Sequence, residues 1–204
     1  MPKIITLAHQ KGGVGKTTLT LNLAYSIQEQ LNVAVIDLDI QGSISQLKPL
    51  IENVSLDIIS GIDVNDIQSL PYDVVIIDTP PYLSSELPAV FSVSDLVIIP
   101  TKAGLVDLLA IRATIALLKK AKEERSNLVF SILFNMVKNN STITAEIKEL
   151  IDTYQTPVFN TRVSDKISFV RSIGINRGIY ATDDHKSKEE IDELTNEIIK
   201  MHRL

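Results

Sequence analysis

The sequence predicts an α/β fold with a mainly parallel sheet and helices on both faces. Three observations carry that expectation. Short apolar runs alternate with longer amphipathic ones, the pattern of successive βαβ units. The short runs are apolar at consecutive positions, as strands buried on both faces are. A glycine-rich segment, Lys11–Thr18, joins the first such run to the first helical one.

The elements follow in order. Lys3–His9 reads as a buried strand. Thr17–Leu31 reads as a helix that turns Leu19, Leu21, Leu23, Ala24 and Ile27 to the core. Further strands are expected at Val33–Leu38, Val74–Asp78, Leu96–Thr101, Leu128–Met136 and Pro157–Val163. Helices are expected near Ser84–Phe91, Leu105–Arg125, Thr142–Tyr154, Ser164–Ile173 and Ser187–His202. Gln41–Leu70 has the weakest pattern, with room for one short strand at Leu56–Ile59. No linker divides the chain, so residues 1–204 read as a single domain.

Composition narrows the functional classes. A hydrophobic content of 45% over 204 residues suits one domain with a sizeable core. The apolar runs, such as Val74–Ile77 and Leu96–Pro100, fall far short of the roughly 20 residues of a membrane span. The N-terminus runs straight into a strand and has no signal-peptide pattern. The absence of cysteine excludes disulfides, thiolate metal sites and cysteine-held iron–sulfur clusters. A cytoplasmic location is the simplest expectation. The net charge of −5 argues mildly against a constitutively basic nucleic-acid binder.

The segment Lys11-Gly12-Gly13-Val14-Gly15-Lys16-Thr17-Thr18 follows a strand and opens a helix, the context a phosphate loop requires. Glycines let the backbone fold tightly and aim its N–H groups at phosphate oxygens. The helix N-terminus adds a favourable dipole. Lys16 would reach the β- and γ-phosphates, and the Thr17 hydroxyl would ligate Mg²⁺. The usual loop starts with glycine at the position held here by Gln10, and an extra lysine, Lys11, stands at the head. Two acidic segments follow. Val33–Gly42 carries Asp37 and Asp39 just past a strand, and Tyr72–Pro81 delivers Asp78 at the end of four apolar residues. Ligands of open α/β sheets bind at that edge. Asp78 is therefore expected to hold Mg²⁺, with Pro80-Pro81 as a rigid exit.

The Lys11 box resembles the deviant Walker A loop of the ParA/MinD family of P-loop NTPases. There the extra lysine crosses a dimer interface to the partner's nucleotide. A second cation at the phosphates would stabilise the charge that develops during transfer. Asp37 and Asp39 are similar to that family's D-x-D-P-Q box, with Ile40 in place of proline. The resemblance implies that Asp39 orients the attacking water and Asp37 supports the Mg²⁺ shell. It implies that Asn135, at the end of a strand, reads adenine, with the Thr161–Val163 backbone lining the base pocket. Ser94–Pro100, Asp107, Phe169–Ile173 and the terminal helix are similar to small ParA-type plasmid-partition proteins. Pro100–Gly104 lacks the extra prolines those proteins place at a dimer interface. With ten residues before Lys11, no N-terminal helix-turn-helix domain is expected.

The resemblance implies a cycle. ATP and Mg²⁺ build a homodimer, the dimer binds DNA without sequence preference and associates with the nucleoid, and a small cargo-bound adaptor stimulates hydrolysis. Lys166, Arg171, Arg177, Lys186 and Lys188 are the candidate DNA contacts. Arg162–Leu204 carries eight basic and eight acidic residues, so it is neutral in an acidic chain. Two alternatives are a MinD-like membrane ATPase and a positioning ATPase for a cargo other than DNA. The first needs a basic amphipathic C-terminal helix. The apolar stripe Ile191, Leu194, Ile198 and Met201 is flanked by Glu189, Glu190, Asp192, Glu193 and Glu197. It is therefore expected to dock on the core, with no membrane partner.

Overall fold

The computed structural model describes residues 1–39, 43–51, 53–82, 85–138 and 145–202. Ile40, Gln41 and Gly42 of the acidic box, Ser84 of one expected helix and Thr142 of another lie outside them. Six strands form one parallel sheet: β1 (Lys3–Leu7), β2 (Val33–Asp37), β3 (Asp57–Ser60), β4 (Val74–Asp78), β5 (Leu96–Thr101) and β6 (Val129–Phe134). Their order is β3-β2-β4-β1-β5-β6. The register puts Leu7 and Asp37 beside Asp78, so three strands end together at one edge.

The two faces of the sheet are covered by different helices. The helices are α1 (Lys16–Ile27), α2 (Ser43–Leu47), α3 (Leu87–Val93), α4 (Leu105–Ala110), α5 (Arg112–Glu124), α6 (Ala145–Tyr154), α7 (Ile167–Ser172) and α8 (His185–His202). Val74 and Ile76 of β4 join a core with α1, α7 and α8, while Val75 and Ile77 pack on α3. Strand alternation therefore sends neighbouring side chains into separate cores, which explains the unbroken apolar runs. On the far side, α5 and α6 cover β5 and β6.

The structure corrects two expected elements. Pro157–Val163 is not a sheet strand. It runs beside β6 without a continuous ladder: Ile132 bridges to Val158, and the Phe159 and Val163 N–H groups reach the Ile132 and Phe134 carbonyls at 2.9 and 3.0 Å. Between them Glu197 accepts the N–H groups of Asn160 (2.8 Å) and Thr161 (3.0 Å), so those donors never reach β6. The sixth strand is β3, at the opposite edge. The expected helix Leu105–Arg125 is broken at Ile111 into α4 and α5. The Tyr154 hydroxyl donates to the Leu108 carbonyl at 2.8 Å, the group that a continuous helix would give to Arg112.

Other boundaries move for local reasons. The helix expected from Ser164 starts at Ile167, because Glu190 takes the Ser164 N–H and hydroxyl. The last helix starts at His185, before Ser187, with Asp184 accepting from the Ser187 N–H and hydroxyl as an N-cap. Of the apolar stripe of α8, Ile191, Leu194 and Ile198 are buried in the α1 core as expected, while Met201 is 40% exposed. Among the described residues no helix is long and apolar enough to cross a membrane.

One buried polar side chain ties the C-terminal segment to the helix that starts at the glycine loop. Asn22 of α1 donates to Thr18 carbonyl (2.8 Å) and Ser172 Oγ (3.0 Å) and accepts from Ile179 N–H (2.7 Å). Gly178 lies against it with φ +55, where a Cβ would meet Asn22 Oδ1 at 2.6 Å. Asn22→Ala strands the buried Ile179 N–H, so a loss of about 2–3 kcal/mol in urea unfolding is expected. Gly178→Ala should destabilise in the same direction through strain. A change below about 0.5 kcal/mol in Asn22→Ala would remove Asn22 as the tie.

Candidate nucleotide site

The glycine segment forms a loop between β1 and α1. Gly13 (φ 70) and Gly15 (φ 87) are both left-handed, and Gly15 is the N-cap of α1. A side chain at Gly15 would also collide with the Asn135 amide nitrogen. Buried Val14 anchors the loop, and its carbonyl accepts from Asn135 Nδ2 at 2.8 Å. Gly12, Gly13, Gly15, Lys16, Thr17, Thr18, Asp39, Thr79 and Pro81 line an open bay of about 260 Å³. Lys16 is buried and donates to the His9 carbonyl at 3.2 Å. Burial lowers its pKa, against the pull of Asp78 and Asp39.

Asp78 supplies the metal test. Its Oδ2 accepts from Thr17 Oγ1 at 2.6 Å, while its Oδ1 is buried with no hydrogen-bond partner. Burial pushes its pKa up to about 7, against the Thr17 hydrogen bond and the Lys16 charge. A carboxylate half-satisfied in an apolar setting, beside a threonine hydroxyl, suits a hard divalent cation such as Mg²⁺. The loop amides and Lys16 suit a polyphosphate. Both groups fit the residues present.

The other acids divide. Asp37 Oδ1 accepts from Asp39 N–H (3.1 Å), and Oδ2 accepts from Ile44 N–H (3.1 Å), Ser45 N–H (2.8 Å) and Ser45 Oγ (2.9 Å). Both its oxygens therefore hold the loop and the start of α2. Asp39 itself is half-buried at the bay. Asn135 and Thr18 line a narrow crevice beside the bay, closed by Met136 and Val163–Lys166. Of the segment expected to line the base, Val163 borders this crevice, while Thr161 gives its N–H and hydroxyl to Glu197.

Lys11 stands at the mouth, outside the bay's lining. Its ammonium donates to Asp107 Oδ1 at 2.5 Å, and its side chain is 46% exposed. The basic candidates are only partly brought together. Lys166 pairs with Asp184 (2.7 Å) and Arg177 with Glu29 (2.6 Å). Arg171 and Lys186 are exposed and Lys188 half-buried.

Two residues of the site escaped the sequence reading. Thr79 Oγ1 donates to the Leu7 carbonyl at 2.8 Å and joins the ends of β1 and β4. His9 is 2% exposed, and its Nδ1 accepts the Lys11 N–H at 2.7 Å. Their only sequence signal is position, just past a strand end.

Burial, and then the Lys16 charge, lower the His9 pKa from 6.5 to about 4. Between those values the unfolded chain binds a proton that the folded chain refuses. Stability is therefore full above about pH 6.5 and falls as pH drops towards 4, by up to about 3 kcal/mol from this group. His9→Asn keeps an acceptor for Lys11 and removes the titration. Its unfolding free energy is expected to fall less steeply than that of the unaltered chain between pH 6.5 and 4. Parallel curves would show that His9 carries no such linkage.

Comparisons with known proteins agree with this geometry. The family model described as CobQ/CobB/MinD/ParA nucleotide binding domain matches residues 5–177. The chain is 23% identical to maintenance of carboxysome distribution protein A of Halothiobacillus neapolitanus, over 96% of this chain and 95% of that one. A putative plasmid partition protein of Borrelia burgdorferi B31, solved with AMPPNP, superposes with a TM-score of 0.75 at 22% identity, covering 98% of this chain and 100% of that one. The septum site-determining protein MinD of Pyrococcus horikoshii OT3, solved with Mg-ADP, gives a TM-score of 0.73 at 19% identity, covering 98% of this chain and 97% of that one. With the loop and the family model in agreement, this chain belongs to the CobQ/CobB/MinD/ParA nucleotide-binding domain family and is an ATPase of its ParA/MinD type.

Proposed function

We propose that this protein is a dimerising positioning ATPase that segregates DNA through nucleotide-switched, non-specific DNA binding. Lys11 is the observation that carries the reading. It is fixed at the backbone by His9, paired at its ammonium with Asp107 on a side chain 46% exposed, and outside the lining of its own phosphate bay. A cation so placed is available to a second subunit.

The chemistry divides among this chain's residues. When bound, Mg²⁺-ATP supplies the phosphoryl group and part of the charge neutralisation. Thr17 and Asp78 would hold the metal, and the Gly12–Thr18 amides with Lys16 would hold the phosphates. Asp39 positions the water and receives its proton. Lys11 of one subunit would stabilise charge developing in the other, which ties turnover to dimerisation. A small adaptor bound to cargo is the partner expected to accelerate that turnover.

DNA binding is assigned to Arg171, Lys186 and Lys188, doubled in the dimer. Lys166 and Arg177 are engaged within the chain and contribute less. A second reading, a cargo other than DNA, is favoured by the Halothiobacillus relative, which is named for carboxysome distribution. A membrane-bound reading is less favoured, because Ile191, Leu194 and Ile198 of the α8 stripe are in the core.

Asp39→Ala is expected to bind ATP, dimerise and stall, with steady-state hydrolysis falling at least about 100-fold. An unchanged rate would remove Asp39 as the water-positioning residue. By fluorescence anisotropy, random duplex should bind with ATP and Mg²⁺ and little with ADP. Its affinity should fall with salt by a log–log slope of about −0.9 per phosphate contact. Glutamate at Arg171, Lys186 and Lys188 should abolish that binding and leave ATP-driven dimerisation intact. Equal affinity in ATP and ADP would contradict the switch, and a triple variant that still binds would contradict the patch.

A further inference from the structure

Asp107 and Lys11 are 96 positions apart, yet they form an ion pair at 2.5 Å. Asp107 lies in the first turn of α4, a helix of six residues. Its neighbours Leu105, Val106 and Leu109 are 52%, 72% and 50% exposed. An ion pair set among exposed large apolar side chains is the make-up of a surface that another protein covers. Lys11 is held at both ends, its N–H by His9 Nδ1 and its ammonium by Asp107. The ammonium therefore has to leave Asp107 to reach an anion that lies beyond hydrogen-bond distance of its present position.

We propose that Asp107 is a positioning residue that keeps Lys11 within its own chain until a second copy docks over α4 and takes the ammonium from it. This rests on the reading of Lys11 as a residue that acts across a dimer. The occupant is a second copy because the displacing group must be an anion stronger than one carboxylate. The polyphosphate in the other copy's bay meets that need. The apolar side chains of α4 then supply contact area beside the exchanged charge. Both subunits must release a pair, so the cost is counted twice. An ion pair of this exposure is worth up to about fivefold in an equilibrium, so two hold dimerisation back by up to about 25-fold.

The test is light scattering against protein concentration, with Mg²⁺ and a non-hydrolysable ATP analogue. Asp107→Asn keeps the shape and removes the charge. It is expected to dimerise at a concentration about 5- to 25-fold lower than the unaltered chain. Turnover per dimer with ATP and the monomer's nucleotide affinity should be unchanged, a split that general destabilisation would not give. Asp107→Glu should restore the original concentration dependence. Gly104→Ala would place a Cβ 3.0 Å from Asp107 Oδ2, displacing the carboxylate without removing it. It is expected to act in the same direction as Asp107→Asn, more weakly. If the unaltered chain dimerises with the analogue and Asp107→Asn needs the same or a higher concentration, the restraint is overturned while the dimer reading stands. An unaltered chain that never dimerises overturns both.

Discussion

A carboxylate at the end of an apolar strand is the constraint around which this molecule is organised. Asp78 is 1% exposed, half-satisfied by Thr17, and flanked by the buried Lys16. Such a group is costly unless a cation neutralises it. The parallel register brings Leu7 and Asp37 level with it, so the glycine loop after β1 and the acidic loop after β2 converge on the same floor. The apolar alternation that builds two separate cores also delivers all three loops to one edge. Fold and site are consequences of one strand pattern.

Around that floor, charge is arranged in layers. Lys16 is inside and held by the His9 carbonyl, while Lys11 is outside and held by Asp107. His9 joins the two, through its carbonyl to one lysine and its ring to the backbone of the other. Its own charge is suppressed by burial and by Lys16, which keeps a third cation out of a loop built to receive an anion. The inner lysine is the one proposed to serve the subunit's own nucleotide. The outer lysine faces solvent beside the apolar side of α4, where subunit contact and chemistry would meet.

Strands β1, β2, β4 and β5 were legible because each is a run of residues buried on both sides, a signal independent of partners. The loop was legible because glycine spacing and the lysine-threonine pair are local features. What escaped depends on residues far apart in sequence. Pro157–Val163 has the composition of a strand, and Glu197 interrupts its pairing with β6 by taking two N–H groups between Phe159 and Val163. Leu105–Arg125 has helical periodicity throughout, and a tyrosine hydroxyl 46 positions from Leu108 breaks it. Lys166 and Arg177 look like free cations until Asp184 and Glu29 are placed beside them. Asp37 is recognisable in sequence as an acid past a strand, but the bonds by which its oxygens fasten the loop that carries Asp39 are not. Charge and hydrogen-bond assignments thus fail where helix and strand assignments succeed, because a polar group's role is set by its partner.

The most direct test of the central claim is calorimetric titration of a non-hydrolysable ATP analogue into the unaltered chain and Asp78→Asn, each with Mg²⁺ and with EDTA. Tighter binding with Mg²⁺ is expected in the unaltered chain, and loss of most of that Mg²⁺ dependence in the variant. An equal gain from Mg²⁺ in both proteins, or no analogue binding by the unaltered chain, would contradict a buried carboxylate held in readiness for the metal.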